Sequence, residues 1–238
     1  MEESVNKSKF ILPIALVSCI FFFQGTGLSK EVPAGKDLDE VLAEVEKANN
    51  AFKTLKADIT FTRTITLLES TEVSKGEMNY KKPKRLYLKF HSPRNEINVV
   101  DGKYVWVYHP VEKQVERYSM ERGKQSSQGL SFFEFGYGES VQAVKKDYNI
   151  TLVEIRDEGK KRFYILDLLP KDPKSQYSNI RLWVQEGFWL PERIELYESA
   201  GEVVNSIDLK NIKINKGMSD KLFIFDVPRG VEVIEPLK

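Results

Sequence analysis

Residues 76–118 read GEMNYKKPKRLYLKFHSPRNEINVVDGKYVWVYHPVEKQVERY. The stretch is a succession of strand-like runs, each closed by a turn signal. Met78 and Tyr80 alternate with Glu77 and Asn79 until Lys82-Pro83. Leu86, Leu88 and Phe90 alternate with Arg85, Tyr87 and Lys89 until Ser92-Pro93. Glu96 to Val100 runs into Asp101-Gly102, a strong hairpin signal. Tyr104, Trp106 and Tyr108 then alternate with Val105 and Val107 up to Pro110, and Gln114 to Tyr118 follows a short link. This is an antiparallel meander, but both of its faces are apolar. A sheet with water on one side alternates more cleanly. One face therefore packs on helices or other strands, and the other is free to line a cavity.

Outward from this core the pattern stays mainly β. On the N-terminal side, Asp37 with Glu40 forms a capping-box pattern. A helical stripe of Leu38, Val41, Leu42, Val45, Ala48, Phe52 and Leu55 follows, with charges on the opposite face. It predicts an amphipathic helix laid over the sheet. Ala57 to Leu67 alternates Ile59, Phe61, Arg63 and Ile65 with threonines, a strand. Between Arg122 and Val144 glycines and serines punctuate an apolar cluster of Leu130, Phe132, Phe133 and Phe135. Two readings stand: a crossover loop tucked under the core, or a helical flap with flexible margins over a cavity. Strands resume at Tyr148–Arg156, Lys161–Leu169, Ser178–Gln185, Phe188–Tyr197 and Val203–Ile214. A helical turn and short apolar strand at Met218–Phe225 and a final Val231–Ile234 follow. About ten or eleven strands in hairpin order, with no βαβ alternation and no repeat, predict a mainly β (α+β) fold.

The chain of 238 residues suits a single domain over 30–238 after a leader over 1–29. Lys7 and Lys9 precede the apolar run Phe10–Phe23, and small residues follow at Gly25-Thr26-Gly27, the form of a secretory signal. The run is short for a membrane span. Leu16-Val17-Ser18-Cys19 also matches the pattern of bacterial lipoprotein acylation, although Ile20–Phe23 keeps the run apolar past the cysteine. Plain cleavage and a soluble periplasmic product is the expectation. Cys19 is the one cysteine, so no disulfide framework or thiol nucleophile is available to the mature chain. The formal net charge of +1 asks for no nucleic acid.

Catalytic motifs are missing from the sequence. His91 and His109 are its only histidines, they do not stand at H-x-x-x-H spacing, and no G-x-S-x-G elbow or phosphate-binding loop occurs. The expectation is a protein that is not an enzyme and needs no metal or cofactor.

The succession Lys82-Pro83, Val100-Asp101-Gly102-Lys103, Trp106-x-Tyr108-x-Pro110 and Gln114-Val115 resembles the LolA-type periplasmic lipoprotein carriers. Leu222–Phe225 followed by Pro228-Arg229-Gly230-Val231 resembles that family's ending. The resemblance implies a half-open antiparallel β-barrel roofed by helices, whose apolar interior accepts the acyl chains of lipoproteins. It implies three partners: acylated lipoproteins, an inner-membrane ABC-type release complex and an outer-membrane acceptor, with the carrier itself a monomer. Lys82 stands where the family's usual arginine holds the lid, and Leu86 where it tends to carry an aromatic. The cavity is expected to be lined by Phe61, Met78, Tyr80, Leu86, Leu88 and Trp106. The lid is expected to involve Lys82, Leu130, Phe132, Phe133 and Phe135. Two readings on the same fold remain open beside the carrier: a lipid- or lipoprotein-binding sensor, and an acceptor anchored through Cys19.

Overall fold

A computed structural model describes residues 35–120, 137–198 and 201–235. Helix α1 (Leu38–Ala51) opens with the predicted capping box: Asp37 accepts the Glu40 N–H and Glu40 accepts the Asp37 N–H. The helix ends four residues earlier than the apolar stripe implies. Phe52 is extended, Lys53 N–H donates to Asn215 Oδ1, and strand β1 (Thr54–Ile65) starts at once. Phe52 and Leu55 are both buried, so the stripe continues from helix into strand without a break in hydrophobicity.

The strands after β1 are β2 (Ser70–Lys81), β3 (Arg85–Phe90), β4 (Glu96–Val100), β5 (Tyr104–His109) and β6 (Gln114–Ser119). Helix α2 (Val141–Asp147) precedes β7 (Tyr148–Glu158), β8 (Lys161–Pro170), β9 (Tyr177–Gln185), β10 (Pro191–Glu198) and β11 (Val203–Ile214). A short 3₁₀ turn (Asp220–Phe223) and β12 (Glu232–Ile234) complete the described chain. All twelve strands belong to one sheet, ordered β12-β6-β5-β4-β3-β2-β1-β11-β10-β9-β8-β7. It consists of two meanders, β1–β6 and β7–β11, joined along an antiparallel β1–β11 seam that runs from Leu55↔Ile214 to Ile65↔Val203. The sheet is open, with β7 and β12 at its edges, as a half-open arrangement requires, and has twelve strands where ten or eleven were expected. β12 adds in parallel to β6.

Register builds the core row by row. Leu55, Tyr80, Leu86, Val100 and Val105 lie opposite one another across β1–β5. Beside them runs a second row, Ala57, Met78, Leu88, Asn98 and Val107. Across the seam, Ile207, Ile194, Leu182 and Leu166 continue the same apolar face. Gly76 interrupts a third row for a steric reason: a Cβ there would sit 2.0 Å from the Lys89 carbonyl oxygen. The Asp101-Gly102 turn forms as its sequence demands. Gly102 has φ +96°, and the Asp101 carboxylate accepts the Lys103 and Tyr104 N–H groups, each at 2.7 Å.

Candidate functional site

The apolar face, called the inner face below, is covered by α1 and α2. Val41, Leu42 and Val45 of α1 and Val144 of α2 join one buried cluster with the rows described above. Between the helices and the second meander lies a pocket lined by Leu42, Val45, Val144, Leu166, Leu168 and Leu182. Its free volume is about 30 Å³, room for about two waters and not for an acyl chain. Around this pocket the described residues pack closely.

Polar contacts that fasten the helices are few and specific. Lys82, in the turn after β2, donates from Nζ to the Asn49 backbone carbonyl near the end of α1 and to Asn49 Oδ1 at 2.9 Å. A cation is favoured there, because the last carbonyls of a helix carry its negative partial charge. The same ammonium lies 4.2 Å from the Phe52 ring centre. Burial pushes its pKa down from the usual lysine value, and the Glu46 carboxylate pulls the other way. Asn49 is itself 4% exposed and passes the contact on, its Nδ2 donating to the Glu139 carbonyl at 2.7 Å. Glu46 accepts the Val141 N–H at 2.6 Å, tying α1 to the first turn of α2. Tyr137 is fully buried, meets Phe52 edge-on at 6.1 Å, and donates its hydroxyl to the Pro191 carbonyl. Burial pushes that phenol far above its ordinary pKa, so it stays a neutral donor.

The expected cavity residues divide. Met78, Tyr80, Leu86 and Leu88 are buried together on the inner face, with Phe61 partly buried at its margin. Trp106 does not join them. It pairs with Val99 and Arg117, the residues opposite in parity to Val100 and Val105, and so lies on the outer face. Phe225 of the C-terminal segment stacks on it at 5.5 Å, and its indole N–H donates to Asp101 at 2.9 Å. Strand alternation forces the correction, since Val105 and Val107 occupy the inner parity. Lys82 holds α1, as quoted above. Leu130, Phe132, Phe133 and Phe135 lie outside the described residues. Asn49 and Tyr137 carry no role in the sequence reading, and Glu46 enters it only as part of the charged face of the N-terminal helix. Asn49 carried a signal, being a polar residue four positions after Val45 on the apolar stripe of α1.

Among the described residues no group of three or more metal-ligating side chains occurs, and no helix is long and apolar enough to cross a membrane. What the site offers is area and a small set of fastening bonds.

Residues 50–226 match the family described as outer membrane lipoprotein carrier protein LolA, and the chain belongs to that family. An outer-membrane lipoprotein carrier protein of Legionella pneumophila (strain Lens) is 27% identical over 188 residues, covering 78% of this chain and 85% of the relative. An uncharacterized protein of Methanocaldococcus jannaschii is 23% identical over 97% of this chain, which spans 61% of that relative's length. Among solved structures, an uncharacterized conserved protein from Thermus thermophilus has the same fold, with a TM-score of 0.53 at 13% identity, covering 83% of this chain and 98% of that one.

Proposed function

We propose that this LolA-family chain carries the acyl chains of lipoproteins in the layer between the inner face and the helices α1 and α2. In this reading it is an exported periplasmic protein. It takes cargo from an inner-membrane ABC-type release complex and gives it to an outer-membrane acceptor. The carrying observation is the continuous apolar inner face, roofed by two short helices that a handful of polar contacts fasten. Acyl chains exposed to water lose about 0.8 kcal/mol of burial per CH₂, so transit needs such a layer. Affinity then comes from buried area and needs no reacting group. Cargo enters only if the helices lift, because the free volume beneath them is about 30 Å³.

The test is native mass spectrometry of the purified chain with a synthetic triacylated lipopeptide, followed by hydrogen exchange on the complex. The expected result is a one-to-one complex in which amides of α1 and α2 change their exchange rates. The carrier reading fails if no complex forms, or if one forms without any change in those two helices.

A further inference from the structure

On the other side of β10 the sheet parts. β10 pairs with β11 only from Arg193↔Asp208 to Tyr197↔Val204. β11 runs on to Ile214, and its last residues keep their ladder to β1 through Ile59↔Leu209 and Asp58↔Lys210, then, past a bulge at Asn211 (φ +53°), through Lys56↔Lys213 and Leu55↔Ile214. They have no ladder to β10. A cleft of about 740 Å³ fills the gap, with Leu209, Lys210 and Ile212 on one wall and Phe163, Trp183 and Phe188 on the other. That volume lies in the range of ligand sites.

We propose that this cleft binds an extended polypeptide segment, which adds as a short strand to the edge of β11 at 209–214, unpaired on that side among the described residues. Three observations select a peptide. A strand edge presents backbone N–H and C=O groups that need partners, and a peptide supplies both in register while an acyl chain supplies neither. Charge in the lining cancels: Glu158, Glu192 and Asp208 face Lys161, Arg193 and Lys210. Two of these pairs are already closed at 2.6 Å, Lys161 with Glu192 and Arg193 with Asp208. A phosphate or a lipid headgroup therefore meets no net attraction there. Finally, Trp183 is 6% exposed and its indole N–H has no acceptor among the described residues. Its ring is covered by the Arg156 and Arg193 guanidinium groups at 4.8 and 4.6 Å. The N–H is buried, so a peptide carbonyl at this wall reaches it only as the covering arginine side chains shift, and the aromatic side chains give sockets for alternate residues of the guest. The inference is independent of the acyl-carrier reading, since the cleft and the layer under the helices are separate pockets.

The experiment uses the full chain to select from a displayed library of random 12-residue peptides, and the strongest binder is then synthesised. Bound peptide is expected to slow amide exchange at 209–214. N-methylation at alternate residues of the peptide is expected to weaken binding about tenfold or more in one parity and little in the other, because only every second N–H of an added strand enters the ladder. Phe188→Ala is expected to weaken it several-fold. If that variant does not fold, the N-methyl series still decides. The proposal is overturned if no peptide is enriched over a blank surface, if protection appears elsewhere, if both parities respond alike, or if palmitate displaces the peptide from the cleft.

Discussion

Replacing Lys82 by alanine tests whether α1 is a movable roof. The substitution removes two charge-assisted hydrogen bonds to Asn49 and the contact with the Phe52 ring. Hydrogen bonds to a charged group are worth about 1.5–3 kcal/mol each, and an exposed cation–π contact about 0.5–1. Lys82 is only half-buried, so water screens these contacts, and the burial that lowers its pKa subtracts from the gain. A net loss of about 1–2 kcal/mol remains, a factor of roughly 5–30 in the local opening equilibrium. Hydrogen exchange of the Val41–Ala48 amides is expected to accelerate by that factor while the strand amides of Met78 and Leu88 keep their protection. A triacylated lipopeptide is expected to bind faster by up to the same factor, because less of the protein is held closed. Lys82→Arg restores both. If α1 and the strands accelerate together, Lys82 supports global stability and is no latch; if α1 loosens and the lipopeptide binds no faster, α1 does not roof the acyl site.

Other substitutions probe the frame. Gly76→Val drives a side chain into the Lys89 carbonyl, and an overpacking loss of about 1–3 kcal/mol lowers Tm by roughly 2–12 °C in calorimetry; an unchanged Tm refutes the register between β2 and β3. Asp101→Ala removes the acceptor of three donors, Lys103 N–H, Tyr104 N–H and the Trp106 indole, so chemical denaturation is expected to show a loss of about 1–3 kcal/mol. Burial pushes the Asp167 carboxyl up, but the Arg181 and Asn179 hydrogen bonds and the Arg181 charge pull it further down, leaving its pKa below the usual carboxylate value. The folded pKa is thus lower than the unfolded one, so this stability is full above about pH 4 and lost as pH falls through the folded value. Urea midpoints of Asp167→Asn are expected to fall less steeply below pH 4 than those of the parent, and equal slopes count against the pair.

Much of the fold was legible because the inner rows keep a strict period of two. Met78–Tyr80, Leu86–Leu88 and the Asp101-Gly102 turn each place a strand where the structure has one. The first half of β2 was not legible. Ser70–Lys75 is polar except for an exposed Val73, because the hairpin tip projects past the core and leaves Leu67 and Leu68 exposed as well. Trp106 was expected in the cavity, and its parity places it on the outer face. Val100↔Val105 sets the register, and any two-residue shift of that hairpin still keeps Trp106 opposite the inner face. The fastening of α1 lay beyond local pattern altogether, since Lys82 and Asn49 are 33 residues apart and meet only when the helix docks.

If the chain carries acyl groups as proposed, close packing of α1 and α2 on the inner face is what makes that carriage reversible. Lifting α1 and α2 exposes Val41, Leu42, Val45 and Val144, which at about 1.5–3 kcal/mol for each buried side chain costs roughly 6–12 kcal/mol. A chain of about 15 methylenes gains roughly 12 kcal/mol on leaving water, at 0.8 for each. The two terms are comparable, so the exchange of helix for acyl chain runs either way under a modest push from a donor or an acceptor. An interior held permanently open would lack the opposing term. It would hold a single chain with about 12 kcal/mol, the strength of a nanomolar complex, and a cargo of several chains more tightly still. By that arithmetic, and on the proposed carrier function, the helices over the inner face would set the release step, and the bonds from Lys82 and Glu46 are where a partner protein would act to change it.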